Sequence, residues 1–299
     1  MTATAAPQAL VRSAGTGQLG RLLDFTRRLL RQRMVPVAVG ILLLVVIAAV
    51  FAPLVAPHNP NSTMPADSLI TASRSHPLGT DQLGRDILSR IIYGARVSLM
   101  VGFIAVGLAM IAGVPLGLVS GYFGGLTDHA LMRLMDAVIA FPQIILALAI
   151  VGAFGSGMAQ VMVAIGLGSV PLFARLTRGQ VLAAREEEYV LAARAIGGTS
   201  RRVLFRHILP NTLSPLIVQG SLGVAFAILA EAGLSFLGVG VQPPTPTWGG
   251  ILSEGLPLVR RAAHPSLYPG LAIFVTVLAI NIVGDAMRDV LDPRLRGAK

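Results

Sequence analysis

Apolar residues gather in six runs long enough to cross a bilayer, with polar segments between them. A spanning helix needs about 20 mostly apolar residues to cover about 30 Å of hydrocarbon at 1.5 Å per residue. The first run covers 35–55 and is followed by PHNPNSTMPADS, a polar, proline-containing segment unsuited to lipid. The second, 97–122, lies within the uncharged stretch between Arg96 and Asp128. The uncharged stretch between Asp136 and Arg175 holds spans three and four, divided by a tight turn at GAFGSGM, 152–158. The fifth, 213–240, carries Glu231, and the sixth is 269–287; QPPTPTWGG and residues 260–265 form an irregular loop between them. The pattern predicts an all-α integral membrane protein of about six transmembrane helices. Its expected segments are a cytosolic arm 1–34, a first helix 35–55, an extracytoplasmic loop with an amphipathic helix 56–96, a membrane core 97–290 and a cytosolic tail 291–299. The Arg-rich start lacks a convincing small-x-small cleavage site, so the first run reads as a retained anchor.

Basic residues set the threading direction. With the amino terminus inside, 18 of the Lys and Arg residues fall on the cytosolic side and 6 on the other, which predicts both termini in the cytosol. The net charge of +10 is then explained as orienting and headgroup-facing charge, and with 5% aromatics it gives no case for nucleic-acid binding. Composition supports the bilayer: 54% hydrophobic and 13% charged residues, with a mean hydropathy of +0.73. The lack of cysteine removes disulfides, thiolate metal sites and cysteine nucleophiles. In span two, Ala109, Gly113, Gly117 and Gly121 recur every fourth residue, a smooth stripe that admits another helix closely. Spacing leaves internal packing and a dimer seam both open. Pro115 and Pro142 remove backbone donors inside spans and predict kinks.

The only lysine is Lys299, so the phosphate-binding pattern GxxxxGK[ST] cannot occur, and any ATP hydrolysis has to come from a partner. His58, His76, His129, His207 and His264 form no i, i+4 pair, so no metal site is expected. GLSFLG, 233–238, has the wrong spacing for a nucleophile elbow and reads as helix packing. Intramembrane acids are costly and point to function by default, which singles out Asp136, Glu231 and Asp285. Asp136 and Asp285 lie near cytosolic span ends, within reach of water or of Arg133 and Arg288. For the deeper Glu231, structural pairing and a substrate or proton role both stay open. Before span two, Asp81 with Arg85 and Asp86 with Arg90 are acid-first i, i+4 pairs, which predict an exposed, self-paired surface helix.

The loop 186–211, EEEYVLAARAIGGTSRRVLFRHILPN, carries the most information. Residues 189–196 are good helix formers, Gly197 and Gly198 allow the left-handed turn that ends a helix, and Thr199 or Ser200 can cap a second one. That second helix is basic through Arg201, Arg202 and Arg206 until Pro210 predicts a break before the membrane. Ala192 and Ala193 make a low-relief knob suited to a groove in another protein. The expected docking residues are Tyr189, Ala192, Ala193, Arg194, Gly197, Arg201, His207 and Pro210.

At these positions the chain resembles the EAA loop of permease subunits of binding-protein-dependent ABC importers. Leu191, Ala192, Ala193, Gly197, His207, Leu209 and Pro210 keep every spacing of that motif, with Leu191 standing for its Glu and His207 for its Ile. HPLGTDQLGRDILSRIIYGARVSL, LSFLGVGVQPPTPTWG and GDAMRDVLDPRLRG resemble the C-type subunit of the dipeptide and oligopeptide branch. The resemblance implies a type I importer permease in the bacterial cytoplasmic membrane, forming half of a pathway for di- or oligopeptides. It further implies a second permease as heterodimer partner, two cytosolic ATPases that hold ATP and Mg, and an extracytoplasmic solute-binding protein. No cofactor, metal or catalytic residue is implied in this chain. ATP-driven closure of the ATPases would move the docked helix, and spans four and five would carry that motion to the pathway. Relatives with similar motifs handle glutathione or nickel complexes, so the substrate stays open among these. Two other classes compete: a proton-driven secondary transporter using Glu231, although no internal repeat marks such a fold, and an assembly protein that docks a cytosolic partner without transport.

Overall fold

The computed structural model describes residues 20 and 26–291. The rest of the arm and the tail from 292, Lys299 included, lie outside the described residues. These form helices and loops, with one isolated bridge between Thr80 and Asp86. We number the main helices α1 (Val35–Val50), α2 (Ile87–Phe123), α3 (Gly125–Ile139), α4 (Gln143–Phe154), α5 (Met158–Ala184), α6 (Glu188–Ala195), α7 (Ser200–Phe236), α8 (Trp248–Gly255) and α9 (His264–Leu291).

Among the described residues four helices, α2, α5, α7 and α9, are long and apolar enough to cross a bilayer. α3 and α4, of 15 and 12 residues, qualify only jointly, and the chain bends by 85° between them, where Pro142 precedes the first turn of α4. The expected third span is therefore a broken element. α1 has 16 residues, about 24 Å at 1.5 Å each, and a single further turn, Ala52–Val55, follows it. A count of six is reached only if the bent pair and this short helix each count as one. Pro115 lies inside α2, which continues through it to Phe123.

The small-residue stripe is an internal seam. A Cβ on Gly113 would stand 2.7 Å from the Val170 carbonyl oxygen, one on Gly117 2.3 Å from that of Ala174, and one on Gly121 2.8 Å from Cβ of Val181. α5 thus runs along α2 at backbone contact, the close approach that small residues permit in lipid. α7 packs on another face of α2, where a Cβ on Gly102 would meet Val224 and Ile228 at 3.1 Å. α8 is seated on α7 through Gly249, and its Trp248 is buried with Nε1 donating to the Ile91 carbonyl at 3.0 Å.

Two expectations are corrected. The segment before span two is no exposed surface helix: α2 itself begins at Ile87, with Asp86 as its N-cap accepting from the Ser89 amide at 2.8 Å. Asp81, Arg85, Asp86 and Arg90 are all buried. Pro210 breaks no helix either. Residues Val203–Ile208 wind as a π-helix, and the chain continues as one helix from Ser200 to Phe236. The Arg206 carbonyl, four residues before Pro210, belongs to that wider turn, which accommodates the ring and its missing donor.

Candidate functional site

The hairpin between α5 and α7 is built as a rigid projection. α6 ends in a paired cap: the Gly198 amide donates to the Ala193 carbonyl at 3.0 Å and the Gly197 amide to that of Arg194 at 2.9 Å, with Gly197 at φ +79°. Thr199 then caps α7, its hydroxyl accepting from the Arg202 amide at 3.4 Å. Val190 and Ala193 turn inward and pack with Leu118, Val181, Val203, Leu204 and Ile208. The Arg194 guanidinium lies 4.9 Å over the Tyr122 ring at the end of α2. Asn211 Nδ2 donates to Tyr189 Oη at 3.1 Å and to the His207 carbonyl at 2.8 Å, tying α6 to α7.

The expected Ala192/Ala193 knob therefore divides. Ala192 is exposed, whereas Ala193 is 7% exposed and anchors the hairpin to its own chain, because a three-residue step from Val190 brings it to the same inward face. The outward apolar stripe is Leu191, Ala192, Ala195 and Ile196, the last 86% exposed. Beside it stand exposed Arg194, Arg201, Arg202 and Arg206 and the acids Glu186, Glu187 and Glu188. His207 is half-buried and Pro210 exposed. Pro210 instead lines a cleft of about 750 Å³ between α5, α7 and α9, with Gln180, Asn211, Ser214, Gln219 and Arg288.

The three singled-out acids have separate surroundings. Asp136, half exposed, accepts from Arg175 Nη2 at 2.5 Å, with Arg133 at 3.9 Å. Asp285 is exposed on α9 and makes no ion pair among the described residues. Glu231 is fully buried and accepts from Ser98 Oγ at 3.2 Å and Ser235 Oγ at 2.7 Å. Ser98 Oγ also accepts from the Trp248 amide at 3.3 Å, so this carboxyl fastens α2, α7 and α8 through hydroxyls. Serine hydroxyls stand here in place of a basic partner. An acid not singled out, Asp128, receives both Arg178 Nε and Nη2 at 2.6 Å and also Ser120, which joins α2, α3 and α5.

At the other end of the bundle, Arg85 Nε donates to Asp81 at 2.6 Å and its Nη2 to Glu254 at 2.5 Å. Arg90 bonds the same two carboxylates, reaching Glu254 Oε2 at 2.9 Å. Asp81 to Arg85 is the i, i+4 pair read from sequence, but Asp86 does not pair with Arg90. Glu254 escaped that reading because no local pattern joins residues 164 positions apart.

The family model described as "Binding-protein-dependent transport system inner membrane component" matches residues 113–297, more than half of the chain. The chain belongs to that family. A second model, the "N-terminal TM domain of oligopeptide transport permease C", matches residues 21–75 of this permease. Among curated relatives, the dipeptide transport system permease protein DppC of Alkalihalophilus pseudofirmus is 43% identical over 90% of this chain and 89% of its own. The glutathione transport system permease protein GsiD of Pectobacterium atrosepticum is 45% identical over 91% of each chain. Two kinds of solved structure share the fold. Inward-facing MetNI methionine ABC transporter matches with TM-score 0.56 at 18% identity, covering 69% of this chain and 98% of that one. An amino acid ABC transporter with histidines gives 0.52 at 16%, covering 66% and 92%.

The chain is thus an ABC importer permease subunit, of the dipeptide and oligopeptide type by its resemblance, in a family of inner membrane components. Within this permease the motif positions have distinct surroundings. Leu191, at the motif's Glu position, is 48% exposed and extends the apolar stripe, while Gly197 holds the left-handed turn and His207 gives its carbonyl to Asn211.

Proposed function

We propose that this permease forms half of the membrane pathway of an ATP-driven importer of small peptides, and that its 186–211 hairpin is the docking element for a cytosolic ATPase. Two relatives named for dipeptide and glutathione transport, the latter a tripeptide, support this substrate class over nickel complexes. The carrying observation is the exposed stripe Leu191, Ala192, Ala195 and Ile196 on a helix fixed by its own cap, by Val190 and Ala193, and by Arg194 on Tyr122. Such a helix moves with the ends of α2, α5 and α7 as one body, so displacement by a partner reaches the cleft beside Pro210. A second permease, two ATPases carrying ATP and Mg, and a solute-binding protein on the opposite face complete the proposed assembly. ATP hydrolysis belongs to the ATPases in this reading, because this chain's one lysine, Lys299, stands in no phosphate-binding GxxxxGK[ST] pattern. The amino terminus, the hairpin and the carboxyl terminus lie on the cytosolic side in this reading.

The test places Ile196→Asp and Leu191→Arg in the assembled transporter. Both variants are expected to insert and retain the second permease, to lose the ATPase subunits on purification, and to lose uptake of labelled dipeptide or glutathione. Normal uptake by both variants would sink the docking assignment, and competition between the two labelled substrates ranks them.

A further inference from the structure

The segment joining α1 to α2 brings together three side chains that no sequence spacing connects. His76 Nδ1 lies 3.0 Å from Oδ1 of Asp86, and His58 Nδ1 lies 3.9 Å from its Oδ2. The two imidazoles stack, with centroids 4.7 Å apart and planes 29° from parallel. The three donor atoms fall within 4.8 Å of one another. His58 Nδ1 is shielded from solvent and has no hydrogen-bond partner, and an orphaned buried polar atom is costly unless something fills the gap.

We propose that His58, His76 and Asp86 form a binding site for a divalent transition-metal ion, of which zinc is the type, that staples the end of α1 to the start of α2. Two imidazole nitrogens and one carboxylate oxygen are a donor set for borderline ions, which take nitrogen and oxygen ligands at about 2.0–2.2 Å. His76 Nδ1 and Asp86 Oδ1 are now in hydrogen-bond contact at 3.0 Å, so an ion bound between them would displace the shared proton and part the two atoms by only a few tenths of an ångström. His58, whose side chain is 37% exposed, has room to close the remaining gap and leaves an open side for water as a fourth ligand. A single hydroxyl positions two of the ligands: Ser89 Oγ donates to Asp86 Oδ2 at 2.7 Å and accepts from the His58 amide at 3.0 Å. Outer contacts of this kind orient metal ligands. The nearby Arg85 and Arg90 are bonded to Asp81 and Glu254, which leaves the Asp86 charge to the ion. His264 is bonded to the Thr80 carbonyl at 3.0 Å and takes no part.

The experiment uses the assembled transporter, purified through a tag free of histidine and stripped with chelator, then titrated with Zn²⁺ by calorimetry and with Co²⁺ by visible absorption. The wild type is expected to bind one ion more per copy of this chain than the His58→Ala, His76→Ala double variant. Each single change should weaken that site by at least the ten- to hundredfold typical of losing an outer contact. Ser89→Ala should fall within that range, and His129→Ala should match the wild type. If His76→Ala fails to assemble, the half-exposed His58→Ala carries the comparison alone. Equal zinc binding by wild type and the His58→Ala variant would overturn the proposal, as would a histidine pair that responds to pH but takes up no metal.

Discussion

Replacing Gly117 with alanine should loosen the seam between α2 and α5 by an amount that follows from the backbone geometry. The new Cβ would lie 2.3 Å from the Ala174 carbonyl oxygen, 2.6 Å from Cβ of Thr177 and 3.0 Å from the Arg178 amide nitrogen. Two of these are backbone atoms, so no rotamer change relieves the clash and the helices must separate. Overpacking of this kind costs about 1–3 kcal/mol, and alanine returns about 0.5–1 kcal/mol through its better helix propensity. Mid-range values leave a net loss of about 1 kcal/mol, a roughly 5-fold fall in the folded ratio. Gly107 is the internal control: it lies on the same helix, yet a Cβ there meets nothing within 4 Å. Gly107→Ala should therefore gain about 0.5–1 kcal/mol. The chain's one tryptophan, Trp248, is buried between α2 and α7 and reports unfolding by fluorescence during denaturant titration in mixed micelles. A Gly117→Ala variant as stable as the wild type, or a midpoint shift in the same direction for both alanines, would refute a backbone-contact seam between α2 and α5.

Three further outcomes are expected. Arg90→Met leaves Asp81 and Glu254 to Arg85 alone and should destabilise the protein by about 3–5 kcal/mol in the same titration; adding Glu254→Gln should recover part of that loss, and strict additivity would argue against coupling. Gly197→Val forces a β-branched residue to φ +79°, at about 1–2 kcal/mol of local strain. Protease should then cut the hairpin faster and uptake should drop while membrane insertion stays normal. Glu231→Gln keeps an oxygen to accept from Ser98 or Ser235 and should retain uptake, whereas abolished uptake with unchanged stability would revive a proton role for that carboxyl.

The 186–211 hairpin was the most legible part because its signals are local. The turn at Gly197 and Gly198, the cap at Thr199 and the helix formers before them are properties of neighbouring residues, and each recurs in the structure. The apolar stretches were legible for the same reason, but their bounds were not: the third expected span is a bent pair, and the helices at the second and fifth begin at Ile87 and Ser200, well before the apolar runs; the bend at Pro142 follows from its missing donor and restricted backbone. Burial of Asp81 and Arg85 was not legible, since an i, i+4 pair looks alike whether it faces water or Glu254 of a distant helix. Nor was the convergence of His58 and His76, which depends on how the α1 to α2 segment folds back.

The sequence by itself determined that this chain lives in a membrane, roughly where its apolar stretches fall, and that a shaped hairpin projects between α5 and α7, because hydropathy, helix propensity and capping act over a few residues. Only the tertiary structure decided that the glycine stripe of α2 meets α5, that Ala193 faces inward while Leu191 and Ile196 face out, and that Glu231 is held by serines. The physical reason is that helices apolar on every side carry no amphipathic stripe to mark their inner face. Which face is buried is set by close packing with partners distant in the chain, and that information emerges only when the helices meet.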